Sequence, residues 1–298
     1  MLRDFRFLLA CALAFLSPLA KGTTHPSMVE VLAGSKPADW RPIDTDNTLY
    51  MELPGGRVVI ELAPQFAPLH VANIKRLARA GYFDGLAVLR VQDNYVSQWG
   101  DPDHRHPLPA GIVKVAPEFE SPLRAADPFT RLPDGDIYAP EAGFSNGFPV
   151  ARSAPLGRSW LAHCYAMVGV GRDLDVESGS GAEMYVVIGH APRHLDRNVA
   201  LVGRVLQGVE LLSQLPRGRA DMGFYTKSQQ ALPIRSVKLA ADVPEAQRSH
   251  LEVIRTDSAA FGDLIESRRN RPEEFFKVAA GRIDLCNVPI AVRQRRAP

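Results

Sequence analysis

Regular alternation of apolar and polar side chains begins at residues 49–53, which follow the two-residue period of a β-strand. A Pro-Gly-Gly turn at residues 54–56 leads into a second apolar run at 57–62, so the two runs predict a hairpin. Apolar positions at helical spacing follow from Pro68, a residue that the first turn of a helix tolerates. Gly81 supplies a stop signal, which predicts a helix between these two residues.

Further apolar runs predict more strands after this helix. They lie at residues 88–91, 160–170, 184–188, 201–206 and 233–240, and the run at 184–188 is β-branched and aromatic, as is typical of a buried strand. One more helical period stands among them, at residues 208–215. Many strands with one early and one late helix predict a mainly β protein whose strands close into a barrel that is capped at its ends.

Three segments fall outside this pattern. Residues 23–47 contain three prolines and no clean period, so we expect an N-terminal extension that lies over the surface. Residues of about 103–158 are rich in Pro, Asp and Gly, which predicts a long inserted loop. Residues 244–298 form a C-terminal extension, in which Pro272 and Gly281 mark the ends of a predicted helix.

The composition is that of an ordinary globular protein. Hydrophobic residues make up 46% of the 298 residues and charged residues 23%, and this length is sufficient for a large core. The net charge is +2, and no block of Lys and Arg is long enough to indicate a nucleic-acid surface. We therefore expect no nucleic-acid partner, and the composition leaves the oligomeric state open.

The first 22 residues have the anatomy of a secretory signal peptide. Two arginines precede an apolar run at residues 7–15, and Ala20 and Gly22 form a small-residue cleavage site. The run is shorter than the about 20 residues that a transmembrane helix needs. We expect export to the periplasm of a Gram-negative bacterium or secretion, without stable membrane insertion; an uncleaved membrane anchor is the alternative.

Removal of this leader leaves two cysteines, Cys164 and Cys286. An even pair in an oxidising compartment favours a disulfide, which here would tie the C-terminal extension to the central part of the chain. Two buried free thiols are the alternative.

A single arginine, Arg90, stands inside an apolar, strand-like run. A guanidinium in such a position costs free energy unless it has a partner or faces a groove. Tyr95, Gln98 and a Gly-Asp pair at residues 100–101 follow at fixed spacing. This order resembles the central segment of the cyclophilins, which reads approximately F-x-R-V-x-x-x-F-x-x-Q-G-G-D, except that Trp99 stands where the family usually has Gly.

The resemblance extends over residues 48–243, apart from the insertion, and implies a closed eight-stranded β-barrel with two capping helices. It also implies peptidyl-prolyl cis-trans isomerase activity on X-Pro bonds, with no metal and no cofactor, and the predicted export makes exported proteins the expected substrates. Arg90 would stabilise the twisted imide, and Gln98 would orient Arg90 and the peptide. The other positions that the resemblance assigns to substrate binding are Tyr95, Val96, Tyr185 and Leu195, which hold the proline ring, and Glu183, His194, Ala166 and Met167.

Several of these positions depart from the family pattern. Glu183 stands where the family usually has a second Gln, and its carboxylate could form a salt bridge with Arg90 or repel a peptide carbonyl. Tyr185 replaces the usual Phe and adds a hydroxyl that needs a partner. Val199 stands where a pocket His is common. The departures, together with the added segments, leave one alternative function: a non-catalytic module that binds or assembles a partner through the same groove.

Two literal motifs point to other chemistry. Residues 143–147 match the G-x-S-x-G of serine hydrolases, but prolines stand on both sides, where a nucleophile elbow needs a strand and a helix. Residues 101–106 gather four candidate metal ligands in a polar loop, where closely spaced residues of this kind are usually solvated. We therefore predict neither a hydrolase nor a metal site.

Overall fold

The computed structural model describes residues 25–101, 105–177 and 179–295, and the predicted signal peptide lies outside them. The strands, in chain order, are β1 (Trp40–Pro42), β2 (Thr48–Leu53), β3 (Gly56–Leu62), β4 (Ala87–Val91), β5 (Val96–Gly100), β6 (Ser121–Pro122), β7 (Thr130–Arg131), β8 (Glu141–Ser145), β9 (Phe148–Ser153), β10 (Arg158–Leu161), β11 (Met167–Val170), β12 (Met184–Val187), β13 (Leu201–Gln207), β14 (Leu232–Pro233), β15 (Ser236–Leu239), β16 (Leu251–Ile254) and β17 (Val292–Gln294). The α-helices are α1 (Met28–Gly34), α2 (Pro68–Arg79), α3 (Glu210–Ser213) and α4 (Ala259–Asn270).

Nine of the strands form one antiparallel sheet in the order β14-β4-β5-β12-β11-β13-β3-β2-β15. Its two outermost strands are consecutive in the chain, because only Ile234 and Arg235 separate β14 from β15. The backbone N–H of Ile234 donates to the carbonyl of Leu86 on one side, and that of Arg235 to the carbonyl of Glu52 on the other, both at 2.8 Å. This segment therefore joins the two edges of the sheet and curls it into a barrel. The closing strand predicted at residues 233–240 is thus interrupted and appears as β14 and β15. If these two are counted as one strand, the barrel has the eight strands that were predicted.

The first three elements of the barrel, β2, β3 and α2, build its core as the apolar pattern predicts. The predicted hairpin is formed by β2 and β3, where Leu49 lies opposite Ile60. The predicted helix is α2, which buries Val71, Ile74 and Leu77 among the side chains of the barrel core. The second predicted helix, at residues 208–215, is shorter than expected. It corresponds to α3 (Glu210–Ser213), whose buried residue is Leu212. The prediction of a mainly β fold with helices packed on a curled sheet is confirmed.

The three segments outside the barrel pattern fold together into a second unit. Strands β6 to β10 form a five-stranded sheet in the order β6-β10-β9-β8-β7, and β1, β16 and β17 form a three-stranded sheet from both chain ends. Helix α1 packs against α4. The unit has an apolar core that also includes Met167 and Leu201 of the barrel strands. In this core the rings of Phe144 and Phe261 meet edge to face with centroids 5.0 Å apart. The N-terminal extension, the insertion and the C-terminal extension are therefore parts of one body.

The inserted segment is more ordered than its composition predicts. We expected a loop at residues 103–158, whereas the structure places β6 to β9 within it. Its strands are short and contain Gly143 and Pro149, so they carry little local strand signal, and their pairing depends on neighbours rather than on intrinsic preference. The N-terminal extension likewise begins with a helix, whose first turn is closed by a capping box between Ser27 and Glu30.

The predicted helix at residues 272–281 is wrong. The helix of the C-terminal extension is α4, which begins after the N-cap Ser258 and ends at Asn270. The residue before a proline avoids helical backbone angles, and Arg271, just before Pro272, has left the helix with φ 23° and ψ 89°. Pro272 therefore stops the preceding helix and does not start a new one.

Cys164 and Cys286 form a disulfide, with their Cα atoms 4.9 Å apart. Cys164 lies between β10 and β11, and Cys286 lies between α4 and β17. The bond thus links the C-terminal extension covalently to the chain segment that enters the barrel sheet. Within the described part of the chain, no helix combines the length and the apolar character needed to cross a membrane.

Candidate active site

Arg90 and Gln98 lie opposite each other on neighbouring strands of the barrel. The antiparallel pairing of β4 with β5 puts them in register, after an irregularity between Val88 and Arg90. Such a bulge re-aims side chains locally. The NH1 group of Arg90 donates to Oε1 of Gln98 at 2.9 Å. Because side chains alternate along β5, the neighbouring Trp99 points into the barrel core, so this departure from the family pattern lies away from Arg90 and Gln98.

Two further acceptors fix the guanidinium of Arg90. Its Nε donates to the backbone carbonyl of Met222 at 2.6 Å, and its NH2 donates to Oε1 of Gln92 at 2.5 Å. Met222 belongs to a turn with positive φ that follows α3 and folds back along β4. A guanidinium has five N–H groups, and these contacts use three of them. Two N–H groups are thus left for a ligand.

The charge of Arg90 is not neutralised by an ion pair with any described carboxylate. Its guanidinium carbon lies 5.7 Å from the ring centroid of Tyr95 and 5.5 Å from that of Phe224, within cation–π range. Burial lowers the pKa of Arg90 below its ordinary value, but an arginine remains charged at neutral pH. The side chain therefore presents a fixed positive charge to the groove.

Glu183 contacts Gln98. Oε2 of Glu183 accepts from Nε2 of Gln98 at 3.0 Å. An ionised carboxylate can only accept, so this bond turns the amide oxygen of Gln98 towards Arg90. Of the two expected effects of Glu183, a salt bridge that clamps Arg90 is absent among the described residues.

These side chains line one groove with a volume of about 930 Å³. It contains six of the predicted site residues besides Arg90, which are Tyr95, Val96, Gln98, Glu183, Tyr185 and Leu195. Val96 and Tyr185 are buried and pack with Val187 in a small apolar cluster, against which Tyr95 and Val199 also pack. The groove therefore combines an apolar pocket with the guanidinium of Arg90.

The hydroxyl of Tyr185 has its hydrogen-bond partner inside the protein. It lies 3.0 Å from Nε2 of His163, which is fully buried. The ring also has space because Gly169 stands opposite it on β11, where a Cβ atom would overlap the phenol ring. His163 was not predicted as a site residue, although the need of Tyr185 for a partner was visible in the sequence.

Three predicted binding residues do not line this groove. Ala166 and Met167 lie at a separate cleft beside the disulfide. The expected backbone contacts with a peptide are not supported for Ala166, because its N–H donates to Val187 and its carbonyl accepts from Val205. His194 is exposed and stacks on the outer side of Tyr95, with centroids 6.5 Å apart.

The groove residues that the sequence analysis missed include four apolar side chains. They come from loops outside the barrel strands, and they are Leu108, Leu174, Met222 and Phe224. Leu174 and Met222 are 98% and 64% exposed, so no burial pattern in the sequence marks them. Their side chains add an apolar rim to the groove.

The two other motifs acquire no catalytic arrangement. Residues 143–147 form the hairpin between β8 and β9, with no helix after the serine. Of residues 101–106, the structure describes Asp101, Arg105 and His106, and Asp101 accepts from the backbone N–H of His106 at 2.6 Å. Among the described residues, no cluster of three or more His, Cys, Asp or Glu side chains is placed to bind a metal ion.

Comparisons with known proteins agree on one family. The family model described as "Cyclophilin type peptidyl-prolyl cis-trans isomerase/CLD" matches residues 48–239. A "Probable peptidyl-prolyl cis-trans isomerase" of Brucella suis is 45% identical over 58 residues, which are 20% of this chain and 30% of that protein. Human "Peptidyl-prolyl cis-trans isomerase-like 1" is 25% identical over 214 residues, which are 72% of this chain and 99% of that protein.

A solved structure is similar over most of the chain. The cyclophilin AquaCyp293 from Hirschia baltica has a TM-score of 0.71 and 27% sequence identity, over 90% of this chain and 98% of that chain. An overlap of this extent exceeds the barrel and reaches into the second unit. By contrast, the match to the Brucella protein spans only about 30% of that relative's length.

Proposed function

Because the chain belongs to the cyclophilin-type peptidyl-prolyl cis-trans isomerase family, we propose that it catalyses cis–trans isomerisation of X-Pro peptide bonds. The observation that carries the proposal is the state of Arg90. Its guanidinium is held by three acceptors and faces an apolar groove, and no described carboxylate forms an ion pair with it.

The barrier to this reaction lies in the peptide bond itself. Resonance gives the C–N bond partial double-bond character and a rotational barrier of about 18–20 kcal/mol. A twisted bond has lost this resonance, and its nitrogen carries a localised lone pair. An N–H donor aimed at that nitrogen stabilises the twisted form more than the planar one, and such differential binding accelerates the reaction. Arg90 supplies the donor without any change of protonation state.

Positioning of this donor depends on the neighbours of Arg90. A guanidinium that had to reorient during the reaction would lose part of its effect, because preorganised donors act without reorganisation. Gln98 and the carbonyl of Met222 hold two edges of the guanidinium, and Glu183 fixes the amide of Gln98. The second N–H of the Gln98 amide is left to donate to a substrate carbonyl.

The proline ring is proposed to occupy the apolar pocket beside Arg90. Val96, Tyr185 and Leu195 form this pocket, and Val199 packs against Val96 and Tyr185. A pyrrolidine ring has no N–H, so an apolar pocket without donors or acceptors fits it. The hydroxyl of Tyr185 does not disturb this fit, because it is bonded to His163.

Export of the protein is part of the same proposal. The signal peptide predicted at residues 1–22 supports it, and the disulfide between Cys164 and Cys286 suits an oxidising compartment such as the periplasm. Substrates would then be proline-containing segments of exported proteins.

An isomerase and a binding module can be distinguished by the amount of protein needed to change the refolding rate of a substrate. We expect a small fraction of a molar equivalent to accelerate the proline-limited refolding of a disulfide-free test protein, because an enzyme turns over. A binding module would slow refolding or act only at equimolar concentration. The measurement is the rate of the slow refolding phase, which takes tens of seconds or longer without a catalyst, at rising protein concentration.

A further inference from the structure

The orientation of the Tyr185 hydroxyl is set by a histidine that faces away from the groove. Nδ1 of His163 lies 2.8 Å from Oδ1 of Asp196, and an ionised carboxylate can only accept, so Nδ1 carries the proton. Burial, opposed by Asp196, lowers the pKa of His163, so the ring is neutral and its Nε2 is an acceptor. The Tyr185 hydroxyl therefore donates inwards, to Nε2 of His163.

Asp196 is the next member of this chain of contacts. Its Oδ1 accepts from both the ring and the backbone N–H of His163, and its Oδ2 accepts from Nε of Arg193 at 2.6 Å. Burial pushes the pKa of Asp196 up, but the hydrogen bonds and charges of His163 and Arg193 together outweigh burial and hold the pKa below its ordinary value. Asp196 is therefore ionised and is fixed from two sides.

Arg193 connects this network to the second unit. Its NH1 and NH2 donate to Oδ1 and Oδ2 of Asp136 at 2.9 and 2.8 Å, a two-point ion pair. The side chains of Arg193 and Asp136 are 4% and 1% exposed. Asp136 lies on the inserted segment between β7 and β8, and the ring of the nearby Tyr138 covers the guanidinium of Arg193 at 4.9 Å. The insertion is thus bound to the barrel segment through the buried ion pair between Asp136 and Arg193.

The backbone around Arg193 forms a wall of the groove. Arg193, His194 and Leu195 make a single 3-10 turn, which the N–H of Asp196 closes by donating to the carbonyl of Arg193. Leu195 lines the groove, and His194 stacks on Tyr95. A displacement of Arg193 would therefore move this wall directly and move Tyr185 through Asp196 and His163.

We propose that Asp136 is a positioning residue for the proline pocket, which it holds through Arg193 from outside the barrel. The inference rests on the proposed isomerase function. Asp136 contacts neither the groove nor Arg90. Its loss should therefore weaken binding of the proline ring and leave the catalytic step at Arg90 unchanged. The inserted segment thus supports the proline pocket from outside, although it contributes none of the side chains that form this pocket, which are Val96, Tyr185 and Leu195.

The same loop contains a matched control. Asp134 forms an equivalent two-point ion pair with Arg269 of α4, with both distances 2.8 Å. This pair joins the insertion to the C-terminal extension and has no contact with the barrel turn. Asp136→Asn and Asp134→Asn each remove one charge from a bidentate pair in the same loop, and they release different arginines. Each carboxylate also accepts one backbone N–H, that of Tyr138 for Asp136 and that of Ile283 for Asp134.

The decisive experiment compares the two variants with the wild type in steady-state isomerisation of a proline peptide. For Asp136→Asn we expect KM to rise about two- to thirtyfold, the range of a coupling of 0.5–2 kcal/mol, with kcat nearly unchanged. Such a split indicates lost binding that is common to ground state and transition state. Asp134→Asn should keep the KM of the wild type. Equal KM values for all three proteins would overturn the proposal.

A second variant and a second measurement keep the test decisive. If Asp136→Asn does not fold, Arg193→Lys retains the charge but loses the planar two-point geometry, and the same rise in KM is expected. If the wild type itself fails to catalyse, the proposed function fails, and the proposal is then judged by titrating the same peptide against ¹⁵N-histidine-labelled protein. Altered ring signals of His163 with weaker peptide binding in Asp136→Asn alone would support it. Unchanged signals and binding would overturn it.

Discussion

Glu183 accepts a hydrogen bond from the side-chain amide of Gln98 at 3.0 Å. Gln98 in turn accepts from Arg90 at 2.9 Å, so the three side chains form a line with the amide in the middle. Within the described residues, the hydrogen-bonded link from this carboxylate to the guanidinium therefore runs through the amide of Gln98. The departure of Glu183 from the family pattern is compatible with catalysis.

Glu183→Gln should change kcat/KM by no more than about fivefold, because the new amide oxygen can still accept from Gln98 and a neutral hydrogen bond contributes about 1 kcal/mol. Peptide isomerisation assays under identical conditions test this. Gln98→Leu is the control, and it should cost more because it removes the contact with Arg90. A large rise in activity of Glu183→Gln would mean that the carboxylate inhibits the wild type, contrary to the observed contacts.

Tyr185→Phe should lower the free energy of unfolding by about 1–3 kcal/mol, since it leaves the buried Nε2 of His163 without its donor. Denaturant-induced unfolding measures the difference. Tyr225→Phe serves as the control: it also removes a bonded hydroxyl, but one in an exposed contact with the carbonyl of Pro216, and should cost less. Equal losses in the two variants would indicate that the hydrogen bond to His163 stabilises the protein no more than the exposed one of Tyr225.

The buried His163 should make stability dependent on pH. Burial lowers its pKa below the ordinary value of 6.5, against the opposing effect of Asp196, and Arg193 and His194 also disfavour its protonation. Below about pH 6.5 the unfolded chain therefore binds a proton that the folded protein excludes. The free energy of unfolding should fall as the pH drops from 7 to 5, by at most about 1.4 kcal/mol per pH unit from this group.

The pH profile of His163→Asn provides the comparison. This variant lacks the titrating group, so its free energy of unfolding should depend less steeply on pH between 7 and 5. Denaturant titrations at several pH values give both slopes. Parallel profiles for the two proteins would show that His163 does not contribute.

The sequence was sufficient for the barrel and for the centre of the groove. Alternation and helical period located β2, β3 and α2, because each of these elements buries one face in a single core. The spacing from Arg90 to Gln98 in the sequence also predicted their proximity in the groove, since the two residues lie opposite each other on the paired strands β4 and β5.

The second unit and the residues behind the groove could not be found in the same way. β1, β8 and α4 come from distant parts of the chain, and they become stable only when they pack together. His163 lies in a short connection without a periodic pattern, and its role follows from its distance to Tyr185 in the folded protein. Met222 reaches Arg90 through a backbone carbonyl, which no side-chain pattern can reveal.

Reduction of the disulfide should destabilise the protein. The sequence separation of Cys164 and Cys286 is 122 residues, and a loop of that order is worth about 4–5 kcal/mol on the chain-entropy model. Unfolding should therefore occur at lower denaturant concentration in the presence of a reductant. A Cys164→Ala, Cys286→Ala double variant is the control, since a reductant should not change its midpoint. Identical midpoints of the wild type with and without reductant would contradict the contribution of the bond.

The proposed catalysis depends most on Arg90. Exchange NMR of a short proline peptide reports its cis–trans rate directly, and we expect the wild type to accelerate it. Arg90→Ala should reduce this acceleration about a hundredfold or more, as is typical for the loss of one preorganised donor. Arg217→Ala, which removes an exposed arginine paired with Asp93 outside the groove, should retain the wild-type rate. Equal acceleration by Arg90→Ala and the wild type would contradict the proposed mechanism.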